Sequence, residues 1–424
     1  MKNLNIHIKA LGPIKNADIE VAQVMIFTGA SNLGKSYTNF LTYYVFNLFS
    51  SDRLKDFIRP RITGNQEEWK FFDFSFTGRD LCQWMKEDVK RFFVYLLNYP
   101  DIPCDIEFEF GKKIEEQVFN VNYTEDLPIK SSSEEYHFMV MQINRTRHVV
   151  PTTLKTVLQV TALQVARYLG KYLLDINIHH AYLLPPGRAS LLNESFTTQT
   201  QSSKTGMYDI FMRDFDRINN LKMNNIQESN LHDNTQLADS ITKLIEGDLS
   251  YNKEGIVLKM GDKTEVPLGA AASSIKELSP LLLWMQTGKY QMDSMCIEEP
   301  EAHAHPDMQY QIADLLTFCI NQGTLMQITT HSDYLLARLN QLIRLHNLKV
   351  NNETLFNQLC EKHNLDKNLT LDKKGIGAYY FHRDKKTKEI VIEKQNLEDG
   401  IPFTTFSNAV QEQINWDEVF NNIE

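Results

Sequence analysis

The chain has 424 residues, 42% of them hydrophobic and 23% charged, with a formal net charge of −10. That length suits two or three domains, or one large α/β domain with an insertion, and the composition is that of an ordinary globular protein. An acidic balance gives no sign of a general nucleic-acid binder, and five scattered cysteines without a CxxC pair argue against a disulfide framework or a thiolate zinc site.

The N-terminal stretch "MKNLNIHIKALGPIKNADIEV" alternates polar and apolar residues. It has no apolar core of signal-peptide length, so it reads as strand, and the cysteine usage suits a reducing cytosol, which predicts a cytoplasmic protein. No run of eighteen apolar residues occurs, so no membrane span is expected. "LNIHIKAL" and "ADIEVA" are two alternating strands joined by the turn "GPIKN". "VMIFTG" is a continuous apolar run, as in a buried central strand, and a helix is expected from about Lys35 to Phe49.

Next, "DLCQWMKEDVKRFFVYLLNY" has helical spacing, while "CDIEFEFG" and "EQVFNVNY" alternate as strands. "EDLPIKSSSEEY" reads as a polar loop. A helix is expected from Leu154 to Leu174, followed by a strand ending in a Pro-Gly turn in "HHAYLLPPGRASLL". Residues 191–250 are polar and read as an insertion or lid, with "ESFTTQTQSSKTG" as a mobile loop between helical segments. From Gly255 a regular pattern returns. "GIVLKM" and "TEVPLG" form a hairpin, "SSIKELSPLLLWMQTG" a helix, "DSMCIEE" a strand and "PDMQYQIADLLTFCINQG" a helix. "TLMQITTH" is then a strand, "SDYLLARLNQLIRLH" a helix, and "GAYYFHR" and "EIVIE" two strands before a closing helix from about Phe403. Strands alternating with helices imply a largely parallel sheet.

Gly29 to Ser36, "GASNLGKS", matches G-x-x-x-x-G-K-[ST] at every fixed position, after an apolar strand and before a helix. Gly29, Asn32 and Gly34 belong to a turn whose backbone N–H groups can wrap a phosphate chain at a helix N-terminus. Lys35 neutralises the β- and γ-phosphates, and Ser36 offers a hydroxyl to Mg²⁺. These features point to ATP and Mg²⁺ as cofactors.

"CIEEPEAHAHP" (Cys296–Pro306) follows an apolar strand. Read alone it suits a metal site, an acid/base pair or a solvated strand end. Beside a phosphate loop, Glu298 serves the Mg²⁺ shell in a position where Asp is more usual, and Glu299 is the candidate catalytic base. His331, at the end of the next strand, can contact the γ-phosphate. His303 and His305 have a spacing compatible with a metal pair but lack a third ligand, so a structural or dimer-contact role in the turn is preferred.

The order of "GASNLGKS", "SSIKEL", "CIEEPEAHAHP" and "ITTHSDYLL" resembles the ABC-type ATPases of the RecF/SMC group. It is most similar to the small AAA-labelled ATPases of bacterial phage-defence systems, including the ATPase half of overcoming-lysogenization-defect nucleases. The resemblance covers residues 1–45 and 255–340, and "YLLPPGRASLL" is similar to the arginine-bearing turn of those proteins. It implies an α/β fold, a P-loop ABC-type ATPase head with N-terminal antiparallel strands and a helical insertion. Residues 1–50 and 255–424 would be the nucleotide-binding core, and 51–254 a strand-plus-helical lobe. It also implies a homodimer or higher homo-oligomer with ATP between two heads. Ser273 and Ser274, in "ASSIKE", would face the partner's γ-phosphate, although Ile275 stands near where a glycine is expected. Gln142 is the candidate glutamine-loop ligand of the metal, with a surface glutamine as the alternative, and Arg188 would lie near the nucleotide or the partner head or else serve as a structural arginine of the turn.

The expected activity is ATP hydrolysis that is slow or partner-stimulated, controlling a separate effector such as a nuclease or toxin. The tail after residue 340 reads as too short for a TOPRIM nuclease domain. The alternatives are a RecF-like DNA-binding ATPase, for which "RLKDFIRPR" (Arg53–Arg61) offers basic residues, and a nucleotide-gated scaffold with little hydrolysis.

Overall fold

A computed structural model describes residues 4–62, 73–130, 135–152, 156–192, 206–227, 235–253, 255–398, 400–402 and 414–416. In chain order the first elements are β1 (Asn5–Leu11), β2 (Ile14–Glu20), β3 (Val24–Gly29), α1 (Lys35–Leu48), α2 (Lys55–Ile58), β4 (Asp73–Thr77) and α3 (Gly78–Leu97). Then come β5 (Cys104–Glu109), α4 (Lys112–Glu115), β6 (Val118–Lys130), β7 (Glu135–Ile143), β8 (Thr146–Thr152), α5 (Val157–Leu169), β9 (Ala181–Leu184), α6 (Gly206–Gln227) and α7 (Thr235–Ile245). The last are β10 (Gly247–Asn252), β11 (Gly255–Met260), β12 (Glu265–Pro267), α8 (Ser273–Gln286), β13 (Ser294–Glu298), α9 (Pro306–Asn321), β14 (Leu325–Thr329), α10 (Asp333–Asn351), α11 (Glu353–His363), β15 (Ile376–Arg383) and β16 (Ile390–Lys394).

The chain divides into two compact units, Met1–Val21 with Phe40–Ala181, and Ala22–Asn39 with Tyr182–Glu424. The sequence had suggested divisions near residues 50 and 255. The first unit holds two antiparallel sheets, ordered β2-β1-β5 and β4-β6-β7-β8. Helix α3 starts at a capping box, in which Thr77 and Asp80 satisfy each other's backbone N–H groups, and ends at Asn98 in the left-handed region. Of the polar stretch expected to be a loop, Glu125–Lys130 is instead paired as the end of β6 and Glu135–Tyr136 as the start of β7, while residues 131–134 lie outside the described residues. Antiparallel pairing satisfies the backbone there whatever the side chains are. The helix expected to end at Leu174 does so, its last turn being a π-helical Gly170–Leu174. The basic stretch Arg53–Arg61 offers less free charge than its sequence suggests. Arg53 Nε donates to the buried Asp88 carboxylate at 2.6 Å, and Arg61 Nη1 donates to the Phe57 carbonyl at 2.6 Å.

The second unit is built on a six-stranded sheet ordered β16-β15-β3-β14-β13-β9. Strands β15, β3, β14 and β13 are parallel, and β16 runs antiparallel to β15. Every residue of β3, β13 and β14 is buried. That is why these strands are continuous apolar runs rather than alternating ones. The core gathers Phe211 and Phe215 of α6, Ile241 of α7, Leu282 and Trp284 of α8, Leu316 of α9 and Leu339 of α10 around the sheet. Helices α6 and α7 are thus part of the core, and a separate hairpin sheet, β10-β11-β12, follows them. The expected mobile loop "ESFTTQTQSSKTG" and the expected closing helix from Phe403 lie outside the described residues, apart from Gly206 and a helical turn at 414–416.

The fold is α/β with antiparallel N-terminal strands, as expected. Parallel β3, β14 and β13 lie side by side, so their carboxyl ends reach the same edge of the sheet. That edge is where ligands bind in open α/β sheets.

Candidate nucleotide-binding site

The phosphate loop leaves β3 at Gly29, whose φ is +124°. A Cβ at this position would lie 2.1 Å from the Phe381 carbonyl oxygen of β15, so close strand approach requires glycine here. Asn32 and Gly34 also have positive φ, +60° and +93°. The buried Leu33 anchors the loop while Ser31 and Asn32 stay exposed. Helix α1 then opens with Lys35 and Ser36, and its first-turn N–H groups have no helical partners.

Lys35 Nζ donates to the Ala30 carbonyl at 2.7 Å, across the loop. The residue is 6% exposed. Burial lowers its pKa to about 8, against the opposing pull of Glu299, Glu298 and Glu301. A buried cation facing three carboxylates, at the mouth of a glycine-shaped loop, is a site prepared for an anion.

Glu298 ends β13 and is 2% exposed. Its Oε2 accepts the Ser36 hydroxyl at 2.5 Å, and its Oε1 accepts Asn39 Nδ2 at 2.7 Å. Burial raises its pKa, with the bonds from Ser36, Asn39 and Thr329 opposing. Asn39 lies three residues after Ser36 on α1, hence on the same helix face. The hydroxyl of Ser36 and the carboxylate of Glu298 are hard oxygen donors that converge on one point, and this donor set fits Mg²⁺, which takes few protein ligands beside phosphate oxygens and water. Among the described residues, no group of three or more His, Cys, Asp or Glu side chains is arranged to hold a metal by itself.

Glu299 follows with φ +44°, in the left-handed region. A non-glycine residue there costs about 1–2 kcal/mol. Its backbone N–H is held by both the carbonyl (3.1 Å) and the hydroxyl (3.2 Å) of Thr329. The turn of the chain separates the two adjacent glutamates: Glu298 is buried, whereas the Glu299 side chain is 47% exposed. Glu299 Oε1 lies 3.9 Å from Nε2 of His331, which follows β14. Burial, and then the neighbouring Lys35, lower the pKa of His331, with Glu299 opposing. At neutral pH this favours the neutral imidazole.

Arg188 is fully buried. Its Nε donates to the Glu277 carbonyl at 2.8 Å, and its Nη1 donates to the carbonyls of Glu298 (2.8 Å) and Pro185 (3.1 Å). Its Nε also lies 3.3 Å from the Glu277 carboxylate. The arginine-bearing turn therefore clamps the end of β13 to helix α8. Helix α8 contains Pro280, whose missing N–H leaves the Lys276 carbonyl unpaired in the helical pattern, and the Ser279 hydroxyl donates to that carbonyl at 2.9 Å. At its start Ser273 is exposed and Ser274 half-buried, and Ala272 provides no side-chain cap. Among the described residues no hydrogen bond joins either serine to the phosphate loop.

His303 and His305 are exposed in the turn after Glu299. His303 has φ +60°, and His305 is the N-cap of α9, its Nδ1 accepting the Asp307 N–H at 3.4 Å. Gln142 lies on β7 in the first unit, opposite Asn122 and Arg147. The structure thus brings together Lys35, Ser36, Glu298, Glu299 and His331. Sequence reading missed Asn39 and Glu301. The helical spacing from Ser36 could have found Asn39, and the "EEPE" run could have found Glu301.

Residues 189–336 match a family model described as an AAA ATPase domain. A search of curated proteins finds no significant match. Among solved structures, the chain is similar to an SMC head bound to the C-terminal winged-helix domain of ScpA, at 14% identity and TM-score 0.37, covering 94% of this chain and 98% of that one. It is also similar to the SMC head domain from Thermotoga maritima, at 9% identity and TM-score 0.33, covering 93% and 100%. A third is the Pyrococcus furiosus Smc head with an extended coiled coil, bound to the C-terminal domain of ScpA, at 11% identity and TM-score 0.37, covering 98% and 99%. With TM-scores this low, the fold rests on the chain's own strand order, and the family match supports the presence of an ATPase domain over residues 189–336.

Proposed function

We propose that this chain is an ABC-type ATPase that binds ATP with Mg²⁺, hydrolyses it, and acts as a nucleotide-gated dimer. The observation that carries this reading is the convergence of Ser36 and Asn39 from helix α1 on the Glu298 carboxylate, with Lys35 beside it and Glu299 at the next residue. Lys35 would hold the phosphate chain by charge. The N–H groups at the start of α1 would bind phosphate oxygens, and Ser36 and Glu298 would hold Mg²⁺. When bound, the metal would supply positive charge against the β- and γ-phosphate oxygens. Glu299, the more exposed acid, would take the proton of the attacking water, and the neutral His331 would donate a hydrogen bond toward the γ-phosphate.

In this reading Ser273, Ser274 and the uncapped start of α8 face the nucleotide of a second copy. His303 and His305 lie on the turn that meets that copy. A role for Gln142 as a further metal ligand belongs to the same proposal. So do a cytoplasmic location, control of a separate nuclease or toxin, and a part in anti-phage defence. A scaffold with little hydrolysis is the second reading. It is favoured by Ile275 in the expected place of a signature glycine, and by Glu298 in the expected place of Asp. Nucleic-acid binding is a weaker proposal, because Arg53 and Arg61 are already engaged.

Steady-state ATP hydrolysis by wild type, Lys35→Ala and Glu299→Gln separates the two main readings. We expect both variants to fall by at least about 100-fold, the range for removing a general base or a principal charge contact. If wild type hydrolyses ATP no faster than Lys35→Ala, with DNA and cell extract present, the ATPase reading fails.

A further inference from the structure

Glu301 lies where two segments of the second unit meet. Its Oε1 accepts the Thr330 hydroxyl at 2.7 Å and the backbone N–H of His331 at 2.8 Å. The residue is 9% exposed, and its Oε2 has no hydrogen-bond partner among the described residues. A buried carboxyl oxygen left without a partner is unfavourable, so this contact fixes the backbone at His331 at the expense of stability.

A second fastening lies close by. Gln309 Nε2 donates to the Ala304 carbonyl at 2.8 Å, and Gln309 Oε1 accepts the hydroxyl of Ser332. Ser332 is the N-cap of α10, accepting the Leu335 N–H at 2.9 Å. The turn from Glu299 to His305 is therefore fastened to the corner between β14 and α10 on both sides of His331. Between these fastenings the His331 ring lies 3.9 Å from Glu299.

The geometry points to Glu301 as a positioning residue that sets His331 against Glu299 and ties that histidine to the turn carrying His303 and His305. Its catalytic consequence rests on the ATPase reading, whereas the positioning itself does not. The contact runs through an acceptor oxygen with a particular reach. Glutamine keeps both the reach and the acceptor while losing the charge. Aspartate keeps the charge and loses the reach. Burial already pushes the Glu301 carboxyl toward its neutral form, which glutamine imitates.

The test compares wild type, Glu301→Gln and Glu301→Asp in two measurements. The first follows the His331 imidazole by NMR in histidine-labelled protein, assigned with His331→Gln, and needs no hydrolysis. Wild type and Glu301→Gln should titrate below the ordinary imidazole range, because burial and Lys35 act on the ring while only Glu299 opposes. Glu301→Asp should return toward that range as the corner loosens. The second measures kcat and KM for ATP. Glu301→Asp should lose at least about tenfold in kcat with KM changed less than about threefold, the signature of misplacement rather than lost binding. Glu301→Gln should stay within about threefold of wild type. Wild-type behaviour of Glu301→Asp in the titration, or equal impairment of both variants, overturns the proposal. If wild type is no faster than Lys35→Ala, the ATPase reading fails instead, and the titration alone decides the positioning.

Discussion

Lys35 shows how a motif residue acquires its chemistry. The sequence fixes a lysine after Gly34, but burial is what lowers its pKa to about 8. The folded value lies below the unfolded value near 10.5, so below pH 8 the native state carries the full cost of burying a cation. That cost is relieved as pH rises from about 8 toward 10.5. A bound polyphosphate reverses the balance by favouring the charged form. Titration calorimetry of magnesium-free ATP at pH 8.5, in buffers of different ionisation heat, should therefore show uptake of part of a proton. At pH 6.5 no uptake by Lys35 is expected, because it is already protonated. Lys35→Arg, which stays charged, should bind without uptake at pH 8.5. The places of Lys35 and Ser36 at the start of α1 and of Glu298 at the end of β13 were legible in the sequence, because a fixed loop spacing marks the first two and an apolar run ending in acids marks the third. Asn39 and Glu301 carry only a weak local signal, the helical spacing from Ser36 and the "EEPE" run, because the partners that give them a role, Glu298 and Thr330, lie 259 and 29 residues away along the chain.

At the scale of elements, the buried clamp on β13 and α8 decides how the acidic strand end is held. Arg188 satisfies the carbonyls of Pro185, Glu277 and Glu298 from inside the protein, with the Glu277 carboxylate alongside. Removing one partner of a buried ion pair costs about 3–5 kcal/mol, because the other charge is left uncompensated. Arg188→Ala should destabilise the protein by about that amount in urea or thermal unfolding, and Arg188→Ala with Glu277→Gln should recover part of the loss. If Arg188 instead served only a nucleotide or a partner, unfolding of the free protein would be unchanged by Arg188→Ala. The strands of the parallel sheet were readable as apolar runs because both faces are covered. The start of β6 was readable by its alternation, but the segment from Glu125 to Lys130 was expected to be a loop because Glu125, Asp126, Pro128 and Lys130 interrupt the apolar pattern, and only its pairing with β7 shows it as strand.

At the scale of the molecule, each compact unit has its own sheets, and the candidate chemistry belongs to the second. No helix among the described residues is long and apolar enough to cross a membrane. In the proposed dimer, Ser273 and Ser274 would serve the nucleotide of a second copy, and among the described residues neither bonds to its own phosphate loop. Light scattering should show Glu299→Gln with ATP and Mg²⁺ at twice the mass of the same protein without nucleotide, and Ser274→Arg should keep it at the smaller mass. An unchanged mass of Glu299→Gln on adding ATP and Mg²⁺ contradicts a nucleotide-gated dimer.

The sequence by itself determined the α/β class, the phosphate loop and the acidic strand end, because each depends on local periodicity or a fixed spacing. Only the tertiary structure decided that Glu298 is buried against Ser36 and Asn39 while Glu299 remains exposed beside His331. Only it showed that Arg188 is an internal clamp and that Glu301 anchors the corner at His331. Those roles depend on burial and on contacts between strands distant in sequence, and neither is encoded in the spacing of residues along one segment.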